Sequence, residues 1–421
     1  MAAAGAFAPR ATAASADFDP RSWTSVRAQF ALAEEEINLA TFLLAPHPRP
    51  VVEAIERHRR RLDADAKRYL DEHEGVGEQR VRDAAAAYLG ASAGEVALTG
   101  NTTTGLGALY GGLRLRSGQE IVTTAHDFFS THESLRLRAL RTGARVRRIT
   151  LYRSARTASV EEIVSAVRRS IRPATRVLAV TWVHSSTGVK LPIAQIAAVV
   201  RRANAQRKRA DRVLLCVDGV HGFGVEAATP TRLGCDFLVS GCHKWLFGPR
   251  GTGLIWGRRE SWDAVTPIVP TFDGRAFGPW LRGETPATIP GLPRSAAMSP
   301  GGFHAFEHRW ALAEAFEFRR QIGGERAATR THELTTRLKQ GLSAIRGIRL
   351  VTPMSPTLSS GLVCFEVDGR DPSQVVDSLY RSARIVASVT PYARRYVRLG
   401  PSILNSPAEI DRVLRAVRAL V

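Results

Sequence analysis

Asp218 and Lys244 each stand where a short apolar run stops. The stretch from Arg212 to Gly257 reads RVLLCVDGVHGFGVEAATPTRLGCDFLVSGCHKWLFGPRGTGLIWG. Its runs Val213–Val217, Phe237–Val239 and Gly253–Trp256 are brief and bounded by Gly, Asp or Pro, so the pattern predicts buried strands. Asp218 closes the first run and His221 follows it. His243 and Lys244 lie just past the second, ahead of an aromatic residue and a Gly-Pro-Arg-Gly turn. Ligands of open α/β sheets bind at the carboxyl ends of strands, so acid and amine are expected to face one cleft. An amine there can condense with an aldehyde while a carboxylate keeps a pyridine nitrogen protonated. Pyridoxal phosphate requires that pairing.

Other segments place polar groups at strand ends. In EVALTGNTTTGLGALYGGL, a strand over Glu95–Thr99 gives way to hydroxyl residues and then a helix. A helix N-terminus with free N–H groups and threonine hydroxyls is a natural phosphate cradle. A strand ending at Thr124 leads into His126, Phe128 and His132. The strand Arg176–Val183 leads into His184, Ser185 and Gly188, and a crossover helix over Leu191–Ala203 returns the chain to Asp218.

The run D-x-x-H followed by H-K-W resembles the class V aminotransferases among the fold-type I pyridoxal-phosphate enzymes. The resemblance extends over Phe30–Val421. It implies a mainly parallel α/β sheet flanked by helices with a smaller α/β C-terminal domain, pyridoxal 5'-phosphate as cofactor, and a homodimer. By position, Asp218 is the cofactor acid, His221 lies beside the ring hydroxyl, and Lys244 carries the cofactor aldehyde. Thr102 and Thr103 contact the phosphate, with Thr104 in place of the usual acid. Phe128 stacks on the ring, and Ser185, with His184 beside it, approaches the ring oxygen. Relatives often have Ser or Thr where this chain has Gly241, so Ser240 and His243 are expected to compensate at the phosphate. Arg250 is either a phosphate or a surface residue. Arg398 matches the arginine that clamps the substrate carboxylate, a task suited to a bidentate guanidinium. His47, His126 and His132 are left open between site and structural roles. Phe303 falls where relatives place a threonine that reaches the partner's phosphate.

Composition sets the surroundings. The 421 residues carry 59 Lys+Arg against 39 Asp+Glu, a formal charge of +20. Only Lys67, Lys190, Lys208, Lys244 and Lys339 are lysines, and the arginines are spread along the chain instead of forming a patch or tail. That distribution argues against a nucleic-acid binder. No apolar run approaches the ~18 residues of a membrane span. Cys216, Cys235, Cys242 and Cys364 show no metal spacing, which fits a reducing cytoplasm. The expected organisation is a disordered leader over residues 1–20, an N-terminal segment over 21–48 that packs with the small domain, a large cofactor domain over 49–290, and a small domain over 291–421 that begins after a Gly/Pro-rich run.

The expected activity is a transformation of a free α-amino acid. A lyase cleaving the C–S bond of a cysteine S-conjugate by β-elimination, or a decarboxylating deaminase of secondary metabolism, stands ahead of an aminotransferase or an epimerase. The motifs around Gly302–Trp310 and Thr390–Tyr392 look closest to the isopenicillin-N-epimerase-like group. A binding protein without catalysis is the reading from a different class, and it predicts a damaged Lys244 or Asp218. A persulfide-forming desulfurase is disfavoured, because Cys364 lies in an apolar strand run and the stretch after Ile385 has no cysteine.

Overall fold

The computed structural model describes residues 18–284 and 292–421. Most of the expected leader therefore lies outside the described residues, although Phe18 stacks on Phe318 at 5.3 Å between ring centroids. No helix among the described residues is long and apolar enough to cross a membrane.

A seven-stranded sheet forms the centre, in the order Val96–Thr99, Gly253–Gly257, Phe237–Gly241, Leu214–Asp218, Thr175–Thr181, Glu120–Thr124, Arg145–Ile149. All neighbours pair parallel except those of Gly253–Gly257, which runs antiparallel to both. Side chains alternate across the sheet. Leu178, Val180, Leu215, Val217 and Leu238 enter one core, whereas Val177, Ala179, Leu214, Cys216, Phe237 and Val239 enter the other. Both faces are covered, which is why these strands read as continuous apolar runs. The register places Thr181 beside Asp218 and Asp218 beside Val239, so the site residues leave the sheet along one edge.

A second core lies among the helices Gly324–Ser343, Pro372–Ala383 and Pro407–Arg418 and a four-stranded antiparallel sheet. The N-terminal segment straddles both bodies. Ile37–Asn38 pairs with Ile385–Val386 of the small one, while Phe30 packs edge-on against Phe247 of the large one at 5.1 Å.

Within the span expected for the small domain, one helix packs against the start of the large one. Helix Phe306–Ile322 buries Leu312, Ala313, Ala315 and Phe316 in the same core as Val51, Val81 and Leu89 of helices Arg49–Ala64 and Ala66–Leu89. Burial of an apolar helix face, worth roughly 25 cal/mol per Å², decides which body a helix joins.

Candidate active site

Asp218 ends its strand 1% exposed. One carboxylate oxygen accepts the Val220 N–H at 3.0 Å, and the other lies 3.5 Å from the Thr131 hydroxyl. Burial pushes its pKa up to about 6. Asp127 adds to the rise, while the Val220 bond and the Lys244 charge oppose it. Lys244 sits in the turn after Phe237–Gly241. Burial draws its amine down to about 8 against the pull of Asp218, and the Arg398 charge lowers it further. Asp218 pairs with Val239 of the strand that leads to Lys244, so acid and amine follow the ends of neighbouring strands, the acid buried and the lysine partly buried. The turn that carries the lysine is strained, because Phe247 adopts φ 61°, a left-handed backbone that a bulky residue rarely takes. Packing of that phenyl ring against Phe30 holds it there.

His221 is 3% exposed and lies beside Trp245, whose indole N–H donates to Nδ1 at 3.3 Å. Indole nitrogen only donates, so Nδ1 is the acceptor and the proton of the neutral ring is on Nε2. Burial and the charges of Lys244 and Arg398 keep the imidazole neutral. Its Nε2–H is therefore a fixed donor for an oxygen on a bound ring.

Helix Thr102–Gly112 begins next to the lysine turn. Asn101 and Thr104 cap each other reciprocally, so the residue standing in for the usual acid is a capping residue. The Gly241 N–H donates to Thr102 Oγ1 at 2.7 Å. As the first helical positions, Thr102 and Thr103 have N–H groups without intrahelical acceptors. His243 Nδ1 is buried without a partner, and burial and Lys244 lower that ring's pKa. A Cβ on Gly241 would stand 2.8 Å from His243 Cε1 and 3.2 Å from Thr102 Oγ1. The imidazole fills the space a hydroxyl side chain would need, which accounts for glycine at that position. Ser240 departs from expectation. Its side chain is fully buried and donates to the Gly241 carbonyl at 3.0 Å, so it faces the core and does not reach the cradle. Arg250 is exposed.

Phe128 is the N-cap of helix Phe129–Thr142, and its ring lies edge-on to Tyr392 at 5.8 Å. Buried Asp127 fixes this corner by accepting from the Thr123 hydroxyl and from the N–H groups of Thr124 and Thr181 at 2.7–2.8 Å. His132 pins its helix to the Thr124 carbonyl at 2.8 Å, a structural role. His126 stacks on Tyr152 at 4.0 Å, and Tyr152 bonds His184 Nδ1 at 2.8 Å, leaving buried His184 Nε2 without a partner. His47 sits instead against Arg250 and His308 and is held down to about 4, chiefly by burial.

Arg398 comes from the small body and is 2% exposed. Its Nε donates to Ser388 and its Nη1 to the Ser185 carbonyl at 3.0 Å, while the guanidinium lies over the Phe42 ring at 4.7 Å. Nη2 and the second Nη1 proton remain for a carboxylate, so a two-point grip stays possible. The Ser185 hydroxyl is taken up by the Tyr392 hydroxyl at 2.6 Å.

Asp127, Trp245 and Tyr152 were not singled out from the sequence. Trp245 adjoins Lys244 and Asp127 adjoins Phe128, so adjacency was the available signal. Nothing in the sequence tied Tyr152 to His184. Phe303, at the position of the expected threonine, is 87% exposed.

These groups fit a phosphate-bearing pyridine aldehyde. A buried acid suits the ring nitrogen, His221 Nε2 the ring oxygen, the helix start with His243 the phosphate, and a partly neutral amine the aldehyde.

The aminotransferase class-V family profile matches residues 44–390. Over 403 residues the chain is 27% identical to isopenicillin N epimerase of Streptomyces clavuligerus, spanning 94% of this chain and 98% of that protein. It is 26% identical over 371 residues to a probable cysteine desulfurase of Halalkalibacterium halodurans, spanning 84% of each. A solved structure of the cystine C–S lyase C-DES with its product cysteine persulfide superimposes with a TM-score of 0.80 at 19% identity, over 91% of this chain and 98% of that one. That last likeness speaks to the fold.

Proposed function

Because this chain belongs to the class-V aminotransferase family, whose cofactor is pyridoxal 5'-phosphate, we propose that it takes the α-proton from a free α-amino acid on Lys244. When bound, the cofactor supplies an electron sink for the pair left at the α-carbon. Arg398 holds the α-carboxylate, Asp218 keeps the ring nitrogen protonated, and His221 holds the ring's oxygen side, whereas Ser185, expected there, is engaged by Tyr392 and Arg398. Thr102, Thr103 and His243 hold the phosphate. The observation that carries this reading is the convergence on Phe42, whose ring lies 4.7 Å from the Arg398 guanidinium and 6.1 Å from the rings of both His221 and Trp245, the residue next to Lys244. Lys244 with a pKa drawn to about 8 is a competent base near neutral pH.

Two products follow from that first step. Where the β-carbon bears a thiolate leaving group, elimination cleaves the C–S bond. Where it does not, return of a proton to the opposite face gives the epimer. The sequence reading ranks elimination ahead within the isopenicillin-N-epimerase-like group, whereas the Tyr392 hydroxyl, joined to Arg398 through Ser185, favours epimerisation. A persulfide on the enzyme is not part of the proposal. Buried Cys364 has its thiol pushed up to about 12 by burial, so it is a poor nucleophile.

The assembly we propose is a homodimer, which sedimentation measures directly. The four described cysteines are free and buried, in keeping with a cytoplasmic protein. The purified protein should show a visible absorption band. Incubation with S-methyl-L-cysteine should release methanethiol and pyruvate if elimination is the outcome, and D-enantiomer if epimerisation is. A colourless protein that stays colourless with added cofactor would overturn the reading.

A further inference from the structure

Tyr392 comes from the small body to meet Ser185 and Phe128 of the large one, and proton removal by Lys244 makes no use of it. Its backbone is fixed in a tight loop. Thr390 N–H donates to the Tyr396 carbonyl at 2.9 Å, Tyr396 N–H to Thr390 Oγ1 at 2.9 Å, and Tyr392 N–H to the Thr390 carbonyl at 3.0 Å. The flanking residues Pro391 and Ala393–Arg395 are exposed, whereas the Tyr392 ring turns inward against Phe128. Its hydroxyl meets Ser185 Oγ at 2.6 Å, and the carbonyl of the same serine holds Arg398 Nη1 at 3.0 Å. Phenol and guanidinium therefore converge on one residue. A substrate whose carboxylate rests on Arg398 brings its α-carbon, one bond further on, next to the phenol. Arg398 in turn lies 4.7 Å over the Phe42 ring, which also meets His221 and Trp245, the neighbour of Lys244, at 6.1 Å, so the phenol is tied through Ser185 and Arg398 to the surroundings of the lysine turn.

We infer that Tyr392 is a second catalytic residue, which delivers a proton to the substrate α-carbon after Lys244 has removed the original one. The inference rests on the α-proton chemistry proposed above. The Cα–H bond breaks with its proton passing to the Lys244 amine and its electron pair staying with the substrate. A new Cα–H bond then forms with the proton from the Tyr392 O–H. The phenolate regains a proton through the Ser185 hydroxyl from water, and the lysine ammonium returns one to water, so no oxidant or reductant is needed. Burial pushes the phenol up to about 12, so at neutral pH it is in its donor form. A positioned acid of this kind contributes roughly 100-fold or more to a proton-transfer step. The reaction this arrangement serves is inversion at the α-carbon of a free amino acid.

The test uses the cofactor-loaded enzyme and its Tyr392→Phe variant, which keeps the ring against Phe128. L-2-Aminobutyrate, which has no β leaving group, is incubated in D2O. Loss of the Cα–H signal is followed by NMR and the D-enantiomer by chiral chromatography. Wild type should exchange the α-proton and form the D-enantiomer. The variant should still exchange with retention through Lys244, but form the D-enantiomer about 100-fold more slowly. Binding is read separately with 2-aminoisobutyrate, which has no α-proton, through its shift of the visible band, and its affinity should be the same in both proteins. Tyr392→Leu, a second variant, should behave likewise. Inversion at the wild-type rate in either variant would overturn the role of Tyr392 while leaving the α-proton reading intact. So would wild-type exchange without inversion, or a fall in 2-aminoisobutyrate affinity as large as the fall in rate. Wild type that exchanges no α-proton would overturn both.

Discussion

The Gly241 N–H donates to Thr102 Oγ1 at 2.7 Å, joining segments 139 residues apart. This bond ties the strand that leads to Lys244 to the start of helix Thr102–Gly112, so the proposed aldehyde carrier and the proposed phosphate cradle are held as one unit. Thr102→Val keeps the shape and removes the acceptor, leaving a buried N–H unpaired at a cost of about 1–3 kcal/mol. The cofactor should bind roughly tenfold or more weakly in an equilibrium titration, while saturating cofactor restores the full visible band. Unchanged affinity would show that the bond does not shape the cradle.

Lys244→Ala should give a protein that folds, with the far-ultraviolet dichroism of wild type, yet shows no visible band of a lysine-bound cofactor. Retention of the full band would place the carrier on another of the five lysines.

The depressed Lys244 pKa has a kinetic signature. Only the neutral amine attacks an aldehyde, and half of it is neutral near pH 8 instead of the ordinary 10.5. The rate at which cofactor-free protein gains its visible band should rise through neutral pH and level off a little above 8. A rate that keeps climbing to pH 10 would contradict an amine whose pKa is drawn down to about 8.

Asp218 makes the opposite trade. Its folded pKa is raised from 3.8 to about 6, a difference of about 3 kcal/mol. The folded state holds its proton more tightly than the unfolded state does. That contribution is therefore complete below about pH 4 and lost as pH rises through 6. Without cofactor, Asp218→Asn should match wild type in acid and melt at a higher temperature above pH 6, yet lose nearly all turnover when loaded. A wild-type melting curve flat across pH 4–7 relative to the variant would refute the burial argument.

Arg398→Gln removes the charge proposed to face the substrate carboxylate. Hydrogen bonds to charged groups contribute about 1.5–3 kcal/mol, so amino-acid affinity should fall roughly 10–100-fold. The band of the resting enzyme should stay unchanged. Substrate titration of that band separates this outcome from a general loss of folding.

The candidate site residues Asp218 and Lys244 were legible in the chain because strand ends are marked by sharp changes of residue type. Asp218 and Lys244 each follow a run of buried apolar residues, and a sheet with parallel strands leaves its functional side chains along one edge. The class of fold followed from the same runs. What depended on contacts between distant segments was not legible. The inward turn of Ser240 is set by strand alternation against the core, and the choice of His243 over a hydroxyl is set by the space beside Gly241. Helix Phe306–Ile322 joins the large body because its apolar face meets helices more than 200 residues earlier in the chain. The meeting of Ser185 with Tyr392 spans 207 residues. Local sequence fixes which groups stand at the ends of strands, because propensity and burial act over a few residues. Only the folded chain decides which of those groups share a pocket, because that depends on how two separately packed cores dock.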